Sequence, residues 1–196
     1  MPAGTHAGCS VRDNKVTAMK ARKALFLDLF GTLIEDHGVL DKINKVVFKK
    51  GAVEALLRFA GNKYLVVISI CHETMPVPDG EYVLSLQDHI LNSLGKRGVS
   101  KDIIHFLSVT RKGTVRKLTA ASVKSVAAEH GIDLAKSYVV GDLMKDVKTG
   151  QAVGARTVLL SSAEDSPAFE DIEWVEPDYI VEDLSEAADV LLRRTR

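Results

Sequence analysis

Cysteine is scarce in this chain. Only Cys9 and Cys71 occur among the 196 residues, and the first falls in a stretch without hydrophobic pattern. A structural disulfide between them is therefore not expected, and the chain reads as cytoplasmic. No Cys/His cluster has the spacing of zinc ligands, which argues against a structural zinc site. Net charge is missing as well. The 26 basic residues balance 26 acidic ones, so no overall field draws the chain toward nucleic acid or an anionic membrane surface. No apolar run approaches the length of a bilayer span, and there is no internal repeat or low-complexity linker. What is present is apolar mass: 46% of the residues are hydrophobic, enough to fill the core of one α/β domain, while two full domains would be cramped.

Residues 1–20 mix small, polar and charged residues without periodicity and hold no signal-peptide core, so a flexible N-terminal extension is expected, with Met19 an alternative start. Residues 21–196 are expected to form a single α/β domain. Strand-like apolar runs cover Ala24–Phe30, Tyr64–Ile70, Ile103–Val109, Ser137–Gly141, Arg156–Leu160 and Tyr179–Val181. Helical spacing covers Gly51–Ala60, Glu81–Leu94, a segment capped by Thr119 and closed by Gly131, then Leu143–Val153 and Leu184–Arg193. Strands that are apolar along their whole length and alternate with helices predict a parallel sheet covered on both faces, a Rossmann-like three-layer sandwich. Ligands of such sheets collect at the carboxyl ends of the strands.

Two carboxylates stand at such ends. Asp28 closes the first apolar run, where an uncompensated charge would cost several kcal/mol. Asp142 follows the fourth strand in Gly141-Asp142-Leu143-Met144-Lys145-Asp146. Meeting at one sheet edge, the two would make a hard oxygen site suited to magnesium. Asp146, one helical turn further in, would orient a metal-bound water or merely complement the helix dipole. Read individually, Asp28 could equally cap the following turn.

The ordered motifs are more specific than any one residue. Asp28-Leu29-Phe30-Gly31-Thr32-Leu33, a serine (Ser69) ending a hydrophobic strand, a lysine, and then Gly-Asp-x-x-x-Asp resemble the haloacid dehalogenase superfamily from about Lys23 to the C-terminus. That resemblance implies a magnesium-dependent phosphatase-like hydrolase. Asp28 would be the nucleophile and form an aspartyl-phosphate. Asp28, Asp142 and the backbone carbonyl of Phe30 would hold Mg2+, and Ser69 would hold a phosphoryl oxygen. Counting back from Asp142 by one strand and one helix selects Lys117 as the motif lysine, with Lys112 as the alternative; its charge would neutralise Asp28 and the phosphoryl group.

The sequence also departs from the family. Phosphatases of this type carry a second aspartate two positions after the nucleophile, and here that position is Phe30. Losing a general acid–base typically costs about a hundred- to ten-thousand-fold in rate. A slow or atypical enzyme is one expectation. His37, Ile70 and His72 lie where substrate contacts would fall, and the two histidines are candidates to replace the missing acid. A phosphate- and metal-binding protein without efficient turnover is a second expectation, and a dehalogenase, which needs no leaving-group acid, a third. The intervals between motifs leave no room for a full cap domain. The site is thus expected to be open, taking a phosphorylated substrate that is macromolecular, or small if a homo-oligomer partner supplies the lid. The layout is similar to the histidinol-phosphate and heptose-bisphosphate phosphatases, without their zinc-binding cysteines.

Overall fold

The computed structural model describes residues 21–36, 43–70, 80–107, 118–161 and 174–193. The extension expected over residues 1–20 lies outside them. Six parallel strands run β1 (Lys23–Asp28), β2 (Tyr64–Ser69), β3 (Ile104–Leu107), β4 (Tyr138–Gly141), β5 (Arg156–Leu160) and β6 (Tyr179–Val181). In space they order as β3-β2-β1-β4-β5-β6. The helices are α1 (Ala52–Gly61), α2 (Gly80–Gly95), α3 (Ala120–His130), α4 (Met144–Val153) and α5 (Leu184–Arg193).

Alternation along the buried strands divides the core into two layers. Leu25, Leu27, Val66, Ile68 and Val140 pack with Leu56 and Phe59 of α1, Leu86 and Ile90 of α2, and Ala188 and Leu191 of α5. Ala24, Phe26, Leu65, Val67 and Val139 face the other way, onto Val123 and Val126 of α3. Residues one apart on a strand point to opposite faces, so each strand serves both layers. This is the three-layer α/β sandwich that the sequence predicts.

Local chemistry fixes the ends. The Thr119 hydroxyl accepts from the Ser122 amide while the Ser122 side chain accepts from the Thr119 amide, a reciprocal cap on α3. The expected first strand stops two residues early, because the backbone turns at Leu29 and the amides of Leu33 and Ile34 both donate to the Leu29 carbonyl. The third strand begins one residue later than expected. Lys101–Ile103 form a short 3-10 turn capped by Ser100, and residues 108–109 lie outside the described ones. No described helix is long and apolar enough to cross a membrane.

Candidate active site

The central strand β1 has β2 on one side and β4 on the other, so chain progression reverses direction between β1 and β4. A crevice opens at the carboxyl ends of strands where that reversal falls. Asp28 is the last residue of β1 and Asp142 follows the last residue of β4, which puts the two carboxylates on opposite sides of the crevice. Asp28 is also in direct register with Ser69 at the end of β2.

The carboxylates of Asp28, Asp142 and Asp146 each offer an oxygen within 4.8 Å of the others. Sequence reasoning places Asp146 a turn deeper than Asp142, but the structure brings both into one cluster. Asp146 lies in the first turn of α4, where side chains tilt back toward the helix N-terminus. Asp28 and Asp146 are only 4% and 1% exposed. The Asp28 Oδ1 accepts a hydrogen bond from the Leu29 amide at 3.0 Å, and its Oδ2 lies 3.7 Å from the Lys145 ammonium. Both oxygens of Asp146, Oδ1 of Asp142 and the hydroxyls of Ser69 and Thr32 are buried without a hydrogen-bond partner.

Three close carboxylates resist ionising together. Burial pushes the Asp146 carboxyl well up from its ordinary range, and the Asp28 charge adds to that push. Burial also raises Asp142, against the pull of Lys49 and Lys145. Orphaned, buried, mutually repelling oxygens are costly unless something positive joins them. A hard divalent cation with oxygen preference fits this donor set, and it would invert the local proton balance.

Two glycines make the cluster possible. Gly31 sits at φ 73°, and a Cβ there would collide with the Asp142 carboxylate; a Cβ at Gly141 would collide with that of Asp146. The loop carrying Gly31 is braced from the side. The Glu35 amide donates to the Val47 carbonyl, the Lys49 amide to the Leu33 carbonyl, and the Lys49 ammonium to the Gly31 carbonyl at 2.7 Å.

The other expected site residues divide sharply. Phe30 is 5% exposed and belongs to the hydrophobic layer with Leu29, Leu33 and Ile34. Its ring therefore fills core space, and no acid stands at that position. Ile70, at 1% exposure, packs its side chain into the same layer. Lys117, its alternative Lys112, His37 and His72 lie outside the described residues.

Sequence reasoning missed Lys49, Lys145 and Thr32. Thr32 and Lys145 stand inside the quoted motifs, so a search for every polar residue within them would have raised both. Lys49 carries no local signal, since only the folded loop brings it to Gly31.

A family model described as HAD-hydrolase-like matches residues 114–187. The D-glycero-beta-D-manno-heptose-1,7-bisphosphate 7-phosphatase of Yersinia pestis is 30% identical over 148 residues, 70% of this chain and 79% of that protein. Among solved structures, the D,D-heptose 1,7-bisphosphate phosphatase of B. bronchiseptica, complexed with magnesium and phosphate, superposes with a TM-score of 0.69 at 20% identity. It covers 88% of this chain and 99% of its own. The L-2-haloacid dehalogenase of Xanthobacter autotrophicus, with chloropropionic acid covalently bound, shares the fold at 13% identity and a TM-score of 0.59, over 90% of this chain and 100% of that one. The fold is that of a Rossmann-like α/β protein with an acidic crevice at the carboxyl ends of its strands. The chain belongs to the haloacid dehalogenase superfamily, in its group of capless phosphoric monoester hydrolases that includes the heptose-bisphosphate phosphatases.

Proposed function

We propose that this protein is a Mg2+-dependent phosphomonoesterase that works through an aspartyl-phosphate on Asp28. The observation that carries this reading is the convergence of Asp28, Asp142 and Asp146 within 4.8 Å at the switch point of the sheet. These three side chains, with the Phe30 carbonyl, would hold the cation, which when bound screens phosphoryl charge and polarises the phosphorus centre. An Asp28 oxygen attacks phosphorus, and the ester P–O bond breaks with the electron pair leaving on the alcohol oxygen. Ser69, in register beside Asp28, donates its hydroxyl to a phosphoryl oxygen, and Lys117 adds positive charge. Water then attacks the phosphorus of the acyl phosphate, releasing orthophosphate and restoring the Asp28 carboxylate.

Phe30 shapes the kinetics. With an aromatic ring buried where an acid would stand, the departing oxygen takes its proton from solvent, so esters with good leaving groups react fastest. A phosphorylated sugar is the substrate class suggested by the name of the Yersinia relative. Small and macromolecular phosphates both suit a site without a full cap, and a second copy of the chain would serve as lid. The paucity of cysteine supports a cytoplasmic setting, and the single sheet with its two packed layers supports one domain from residue 21 onward.

The test is phosphate release from an aryl phosphate, stimulated by Mg2+ and abolished by Asp28→Asn. Folded protein that releases nothing from a broad phosphate-ester panel would count against turnover. The burial of Phe30 favours a second reading, metal and phosphate binding without efficient hydrolysis. That reading expects thermal stabilisation by Mg2+ plus a fluoride-based phosphoryl mimic, with no product. Halide release that persists under chelation would instead point to dehalogenation.

A further inference from the structure

Lys145 is a cation that the structure sets beside Asp28, the nucleophile of the proposed reaction. Its ammonium lies 3.7 Å from Asp28 Oδ2, beyond hydrogen-bond length, and its side chain is 30% exposed while that of Asp28 is almost enclosed. The charged end is thus more open to solvent than the Asp28 carboxylate beside it. It belongs to the first turn of α4, between Met144 and Asp146. A cation there opposes the positive end of the helix dipole, so helix electrostatics do not explain its placement. The carboxylate cluster does: the Lys145 charge acts on Asp142 and Asp146 as well as on Asp28.

A charge count gives the placement a purpose. Three ionised carboxylates and one divalent cation leave the crevice with a net single negative charge. A phosphoryl ester brings a further charge of about −1.5 to −2 at neutral pH, and would be repelled. Lys145, with Lys49 acting on Asp142, offsets that charge, and Lys145 does so directly beside Asp28.

We propose that Lys145 is a phosphoryl-binding residue of this site, engaging the transferred group above Asp28, in addition to whatever cation the segment before α3 supplies. The inference rests on the phosphomonoesterase reading. It competes with a purely structural role, in which Lys145 only relieves repulsion among the carboxylates.

Calorimetric titration separates the two. Wild-type protein, Lys145→Gln and Lys145→Arg would each be titrated with Mg2+ alone, and then with orthophosphate at saturating Mg2+. The expected result is orthophosphate binding weakened about tenfold to a hundredfold in the glutamine variant. The arginine variant should recover most of it, and Mg2+ affinity should stay equal or tighten once a competing cation is gone. Orthophosphate affinity unchanged in Lys145→Gln, or lost only in step with Mg2+ affinity, overturns the proposal. Wild-type protein that binds Mg2+ but no orthophosphate removes the underlying phosphatase reading instead. Thermal unfolding verifies that the variants fold, and Lys145→Met serves in the same titrations should the glutamine variant unfold.

Discussion

Gly31→Ala offers a direct measurement of whether Asp142 stands where the structure has it. Gly31 adopts φ 73°, and a methyl group there would come within 2.8 Å of Asp142 Cγ and still closer to its oxygen. Ordinary carbon contacts are about 3.5 to 4.0 Å, so the carboxylate must retreat by roughly an ångström. The substitution also carries a left-handed backbone cost of about 1–2 kcal/mol that has nothing to do with the site. Gly154 isolates that cost. It has φ 74° at the end of α4, and a Cβ there meets nothing within 4 Å. Both alanine variants should therefore lose about 1–2 kcal/mol of metal-free stability. Only Gly31→Ala should lose metal binding, by about ten- to a hundredfold, as when the support of a ligand is removed. At Mg2+ near a hundred times the wild-type Kd, ligand binding adds about 2.7 kcal/mol; the Gly31 variant would gain about 1.4 kcal/mol or less. Urea unfolding of both variants with and without Mg2+ reads these differences. Equal Mg2+ stabilisation in the two would refute the placement of Asp142 against the Gly31 turn.

Further outcomes follow from the same cluster. In chelator, the raised carboxyls of Asp146 and Asp142 make the folded state bind more protons than the unfolded chain. Metal-free stability is then fully present below the unfolded carboxyl pKa of about 4 and declines as pH rises through the folded values. Asp146→Asn should flatten that decline in a pH series of melting curves and stabilise the metal-free protein at neutral pH; a decline as steep as the wild type's would count against it. Phe30→Asp should not restore a general acid, because position 30 belongs to the core. It should lower stability by about 3–5 kcal/mol or more, with no selective gain on poor leaving groups. A folded variant with faster alkyl-phosphate hydrolysis would contradict this.

Much of the architecture was legible because its determinants are local. The bounds of β5, β6 and α5 coincide with the expected ones, and the Thr119 cap and the Gly131 stop of α3 are chemical signals that need no tertiary context. The meeting of Asp28 with Asp142 was legible for a different reason: a parallel sheet with a strand reversal leaves few places for charged strand ends. What the sequence hid depends on rotations and distant partners. Phe30 is two residues from Asp28 and by simple alternation would share its face, yet the turn at Leu29 sends the ring into the opposite layer. Lys49 reaches Gly31 across eighteen positions, and no spacing rule anticipates that. Ile70 follows Ser69 directly, and the pleat alone decides that one lines the crevice edge while the other is core.

The pairing of Leu27 with Val140 just beneath the acidic crevice ties the site to the least yielding part of the molecule. Both residues are fully enclosed, so their amides should exchange with deuterium only through global opening. Asp28, one residue beyond Leu27 on β1, then cannot loosen by itself. Destabilising substitutions anywhere along the central strands should lower the population of assembled sites in proportion to the folded fraction, leaving the chemistry of each intact site unchanged.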